Sequence, residues 1–93
     1  MASIAVNDLH DGTFRVEVRE GSSRTTHTVT VDDAYARKLT GGAVPAAELV
    51  RRSFEFLLER EPKESILDTF ALPVIARYFP EYEREIRGRL GAT

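Results

Sequence analysis

The chain has 93 residues, of which 42% are hydrophobic and 30% are charged, a balance typical of a folded globular protein. Its formal net charge of −2 disfavours binding of nucleic acid or an anionic membrane across the whole surface. The absence of cysteine excludes disulfides, thiolate nucleophiles and cysteine-based zinc sites. We therefore expect a single domain over residues 1–93, located in the cytoplasm, without a signal peptide, a membrane span or a cofactor.

The first third of the chain alternates between apolar and polar side chains, as strands with one buried face do. The alternation is clearest in residues 13–20 and 24–31, which a Gly-Ser loop joins. An Asp-Gly turn connects residues 3–9 to the first of these two runs, and such dipeptides readily adopt the backbone of tight hairpins. The pattern predicts a three-stranded antiparallel meander over residues 3–9, 13–20 and 24–31.

After residue 31 the apolar spacing changes to that of helices. Asp32 is a suitable N-cap, and Gly41-Gly42 would end a short first helix. The strongest helical pattern begins at Pro45 and must stop before Pro62, because proline restricts the residue that precedes it. Pro80 predicts a break in the last apolar run. The fold class is therefore α+β, a meander followed by helices at about 32–39, 45–60, 63–70, 73–79 and 81–87.

The two histidines are the natural candidates for chemistry. His10 stands between Asp8 and Asp11, but all three are ordinary turn residues, and His27 shares a strand face with valines. No serine has a nucleophile-elbow context and no glycine loop has a phosphate-binding pattern. We predict no catalytic, metal or cofactor-binding residues and a protein that is not an enzyme. A further hypothesis, a hydrolase or a metal-dependent enzyme around His10 and His27, requires the two histidines to converge in space.

Large aromatic side chains are concentrated in the helical half. At helical spacing such residues usually form a core, but a domain of this size has little core to hold them. An uncovered remainder would mark a surface for a protein partner or for a second copy of the chain. The leading hypothesis is a non-enzymatic interaction module, either a homodimer or a domain that docks on another protein. The candidate interface residues are Phe54, Phe56, Tyr78, Phe79 and Tyr82.

Residues 26–61 resemble ribbon-helix-helix proteins. A strand, a short helix, a glycine-containing turn and a longer helix follow one another, and Glu48-Leu49-Val50-Arg51-Arg52 is similar to the start of that family's second helix. The resemblance implies a DNA-binding dimer whose paired strands read the major groove, here with Thr26, Thr28 and Thr30. The expected hairpin pairing of the same strand within one chain, and the net negative charge, make this the alternative hypothesis.

A second resemblance rests on two motifs, FLLEREPKESIL in residues 56–67 and IARYFPEYE in residues 75–83. Both are similar to segments of short prokaryotic proteins of unknown function. This resemblance implies a small independent domain, and it implies no activity and no site residue.

Overall fold

The structure, a computed structural model, describes residues 2–91. In that range the chain folds into a four-stranded sheet followed by helices, which confirms the α+β class. The strands are β1 (Ser3–Asp8), β2 (Thr13–Glu20), β3 (Ser23–Thr30) and β4 (Thr69–Ala71). The helices are α1 (Asp33–Thr40), α2 (Ala46–Leu58), α3 (Val74–Tyr78) and α4 (Tyr82–Leu90).

The sheet has the strand order β1-β2-β3-β4. The first three strands form the predicted antiparallel meander, in which Val6 pairs with Val16 and Val16 pairs with His27. β4 then runs parallel to β3, with Phe70 opposite Val29. β3 is therefore an interior strand over the length of β4, and its two neighbours come from opposite ends of the chain.

The helices cover one face of the sheet. The alternation of β2 directs Phe14, Val16 and Val18 toward them, and all three are buried. α2 supplies the centre of the core, packs against β1 and α4, and buries Leu49 and Phe54 completely. Among residues 2–91, the opposite face of the sheet is the more exposed one and carries mainly polar side chains, such as Arg15, Glu17 and Thr28.

The residues predicted to start or end helices do so in the structure. The Asp32 side chain accepts a hydrogen bond from the amide of Tyr35 at the start of α1, over 3.2 Å. Gly41 ends that helix in the left-handed conformation, with φ of 69°. α3 ends at Tyr78 and α4 begins at Tyr82, so the chain breaks at Pro80 as predicted.

The predicted helix over residues 63–70 is wrong. Lys63–Ser65 make only a single 3₁₀ turn, and the chain then extends into β4. The backbone of β3 explains the difference, because its amide at Thr28 donates to Asp68 O over 2.7 Å, and Thr30 O accepts from the amide of Leu72 over 2.9 Å. An extended segment satisfies polar groups of β3 that a helix at this position would leave without a partner.

The last helix is longer than predicted. α4 continues through Gly88 to Leu90 and ends at Gly91, whose φ of 72° is left-handed. Ile86 is fully buried, and the Arg89 guanidinium lies 2.5 Å from Glu59 on α2, so contacts across the fold stabilise the final turn. Among residues 2–91, no helix has both the length and the apolar character needed to cross a bilayer.

Candidate functional site

The short helix α3 divides its side chains between the core and the surface. Pro73 precedes it and Pro80 follows it, which limits it to little more than one turn. Ile75 is buried, and Phe79, just after the helix, packs edge-on against Phe56 with ring centroids 5.9 Å apart. Tyr78 points the other way and is 66% exposed. The aromatic pair Tyr78-Phe79 thus has one member in solvent and one against the core.

Beside Tyr78 lies an apolar groove, which we call the α3 groove. It has a volume of about 250 Å³, and it is formed where the end of α2, the extended segment before β4 and the helix α3 meet. Leu67 is 46% exposed at this groove. The apolar side chains that line the groove include Leu57, Ile66, Leu67, Phe70, Val74 and Tyr78.

One acidic residue, Glu61, is among the residues that line the α3 groove. Among residues 2–91 it has neither an ion pair nor a side-chain hydrogen bond. Burial alone raises its pKa above the usual value for glutamate, because the groove removes water from the charged form and no cation compensates. The groove therefore combines an apolar floor with one uncompensated negative charge.

The acidic side chains near the end of α2, unlike Glu61, are paired with arginine. Arg60 stacks its guanidinium on the ring of Phe56, 3.6 Å from the centroid, and contacts Glu81 at 3.1 Å and Glu85 at 3.0 Å. The pKa of Glu81 is held below the usual value by a backbone hydrogen bond and then by Arg60. This cluster joins α2 to α4, and each of its carboxylates, unlike that of Glu61, has an arginine within 4 Å.

The five predicted interface residues divide into two groups. Phe54, Phe56 and Tyr82 have no exposed surface at all, which makes them core residues of this chain, the alternative considered for them from the sequence. Phe79 is partly buried, and Tyr78 is the exposed member of the set. The hypothesis of an interface therefore rests on Tyr78 and Phe79, both of which line the α3 groove.

The threonines of the DNA-binding alternative lie on β3, where Thr26 and Thr30 are exposed and Thr28 is partly exposed. A ribbon-helix-helix dimer pairs this strand between two copies, but β2 and β4 occupy both edges of β3 at Thr28–Thr30. The uncovered sheet face also carries Arg15, so a basic element is present there. DNA contact remains a proposal for this face, in a geometry other than the ribbon.

The two histidines do not meet. His10 is in the exposed turn after β1, where its amide donates to Asp8 over 2.7 Å. His27 is buried under α2, with Nδ1 2.8 Å from Leu67 O and Nε2 2.8 Å from the Thr25 hydroxyl. In the described part of the chain, no group of three or more His, Asp or Glu side chains is arranged to hold a metal ion.

Sequence reasoning missed both Glu61 and the groove. One signal was present, since Glu61 has no basic residue three or four positions away, whereas Glu85 has Arg89 at helical spacing. The groove had no local signal. It depends on the non-helical path of residues 66–68, which follows from the pairing of β4 with β3.

Comparisons with known proteins give no further assignment. No protein-family model matches the chain, and neither the curated proteins nor the solved structures contain a significant match. Both resemblances described from the sequence therefore stay predictions.

Proposed function

We propose that this protein is a non-enzymatic interaction module that docks on a protein partner through the α3 groove. The observation that carries the proposal is the exposure of Tyr78 and Leu67 beside an apolar groove that contains the unpaired Glu61. Exposed apolar surface that is continuous with a groove is a common feature of binding surfaces.

The size of the groove favours a protein side chain over an enclosed small molecule. Its volume of about 250 Å³ lies below the range of roughly 300–1,000 Å³ that is usual for small-molecule sites. A single large aliphatic or aromatic side chain fits such a space, and anchors of this kind dominate the energy of protein interfaces.

The negative charge of Glu61 favours a partner with a basic group at this position. A carboxylate that has lost water without gaining a cation is destabilised, and a lysine, an arginine or an amino group would compensate it. The partner is therefore a protein segment that presents a large apolar side chain next to a basic group. An acidic segment would increase the electrostatic cost at this position.

The proposal is tested by selecting binders from a phage-displayed library of random peptides of about a dozen residues. We expect the selected peptides to share a large apolar residue adjacent to Arg or Lys. Tyr78→Ala should abolish their binding, and Glu61→Gln should remove the preference for a basic residue while the apolar preference remains. Glu17→Gln, on the uncovered sheet face, is the matched control and should change neither preference.

Two results would contradict the proposal. One is a selection that yields no shared sequence. The other is a set of peptides that still bind the Tyr78→Ala variant, since they would occupy another surface.

A further inference from the structure

The helix α3 carries a charged residue next to the exposed Tyr78. Arg77 precedes Tyr78 on α3, is exposed, and makes no ion pair with any residue between 2 and 91. The chain thus presents a large apolar side chain next to a cation, which is the chemistry that the groove and Glu61 require.

We propose that a second copy of this chain occupies the α3 groove. In the resulting dimer, Tyr78 of each protomer packs on the groove of its partner, and each Arg77 guanidinium faces the Glu61 carboxylate across the interface. The inference rests on the proposed function, because it names the partner that uses the same groove.

A two-fold axis makes the arrangement self-consistent. In such a dimer the same surface serves both protomers, so it must carry both halves of each contact. This surface does so, with Tyr78 and the groove as the apolar halves and Arg77 and Glu61 as the charged halves. Each contact then forms twice, and the exposed Leu67 lies within the same surface.

The alternative apolar surfaces are weaker candidates. The large exposed hydrophobic residues in the described chain are Leu9, Leu67 and Tyr78, and the last two line this groove. Leu9 lies in the β1–β2 turn and does not line the α3 groove. Because the contact centres on one short helix, we expect a small interface and a dimer of weak to moderate affinity.

The test is the solution mass by light scattering from about 1 μM to about 1 mM, a range in which such dimers dissociate. We expect the mass of two chains at high concentration and of one chain on dilution. Arg77→Glu and Glu61→Arg should each weaken the dimer by about tenfold or more, as close charge pairs at interfaces do. The double variant restores the pair with reversed charges and should recover most of the affinity.

Controls separate the proposed pair from a general charge effect. Arg84→Glu changes an exposed arginine on α4 in the same way and should leave the dimer unchanged. Circular dichroism of every variant verifies folding, and Glu61→Gln offers a milder change if Glu61→Arg does not fold. A monomer at all concentrations, or a dimer indifferent to both single charge reversals, overturns the inference.

The two proposals fail separately. A monomeric protein whose groove still selects apolar-basic peptides would refute self-association and leave docking on another protein. A dimer that responds to Arg77 and Glu61, with no peptide selected, would confirm self-association and refute docking of other chains at this groove.

Discussion

The hydroxyl of Tyr82 on α4 lies 2.6 Å from that of Ser53 on α2, and both side chains are fully buried. Ser53 donates its one hydroxyl proton to the carbonyl oxygen of Leu49, 2.7 Å away, because that oxygen can only accept. Tyr82 is therefore the donor to Ser53. This short chain of hydrogen bonds joins the last helix to the central one inside the core.

The direction of these hydrogen bonds predicts unequal costs for the two partners. Tyr82→Phe removes a donor and leaves the Ser53 proton bonded, which should cost about 0.5–1.5 kcal/mol of unfolding free energy. Ser53→Ala leaves the buried Tyr82 hydroxyl unpaired and should cost about 1–3 kcal/mol. Urea unfolding of both single variants and of the double variant measures these two costs and the coupling between them. Costs that simply add in the double variant would show that the pair is not coupled.

A second prediction concerns His27 and the position of β4. The Nδ1 atom of His27 donates to Leu67 O, because a carbonyl oxygen can only accept. The Nε2 atom of the same ring accepts from the hydroxyl of Thr25. His27→Phe keeps a ring in the core but removes the link to residue 67, so we expect a loss of about 1–3 kcal/mol. Hydrogen exchange should accelerate most at the amides of Thr28 and Leu72, which bond across the β3–β4 pair.

Thr25→Val is the control for this effect. It removes the other hydrogen bond of the same ring and leaves the link to Leu67 in place. If both variants accelerated exchange at Leu72 equally, the hydrogen bond between His27 and Leu67 would not be the contact that stabilises β4.

A third prediction follows from Glu83, which joins α4 to α1. The hydroxyl of Tyr35 donates to it over 2.8 Å and Lys38 lies 3.1 Å away, and these contacts, the tyrosine first, lower its pKa. A carboxylate whose pKa is lower in the folded state stabilises the fold above its unfolded pKa of about 4.3, and this contribution is lost as the pH falls through the folded pKa.

Glu83→Gln should therefore destabilise the protein at neutral pH, by roughly 0.5–1.5 kcal/mol given its partial exposure. The gap in unfolding free energy between the variant and the original protein should shrink as the pH falls below about 4. Urea unfolding at several pH values measures the gap. A gap that does not change with pH would exclude the carboxylate charge as its cause.

A fourth prediction contrasts the two adjacent aromatic residues of the groove. Tyr78→Ala should change the unfolding free energy by less than about 0.5 kcal/mol, because its side chain is mainly in water. Phe79→Ala removes a ring that packs on Phe56 and should cost about 2–4 kcal/mol. Thermal unfolding at about 1 μM protein, where the proposed dimer is dissociated, compares the two variants. Similar losses for both variants would mean that Tyr78 is covered within the chain and not available to a partner.

A fifth prediction addresses the DNA-binding alternative. Thr28→Glu adds a negative charge to the uncovered sheet face without touching the core. We expect fluorescence anisotropy with duplex DNA to show no specific binding, and the substitution to leave any residual binding unchanged. Binding that weakens with rising salt and disappears in Thr28→Glu would instead favour the alternative, because phosphate contacts release counterions.

Features of this fold that depend on residues close together in the sequence could be predicted. Alternation gave β2 and β3 within one residue of their ends, and the cap at Asp32 and the stop at Gly41 place α1. In each case the cause acts over a few positions, through side-chain alternation, a capping hydrogen bond or a restricted dihedral angle.

The pattern of side chains along the chain was therefore enough to predict the fold class, the meander and the break at Pro80. Packing between distant segments set the remaining features. Residues 69–71 became a strand because β3 had unpaired backbone groups there, and Phe56 became core while Tyr78 stayed exposed because α4 covers only the former. Helical spacing shows which side of a helix is apolar, but only the packing of distant segments determines which part of that side is covered.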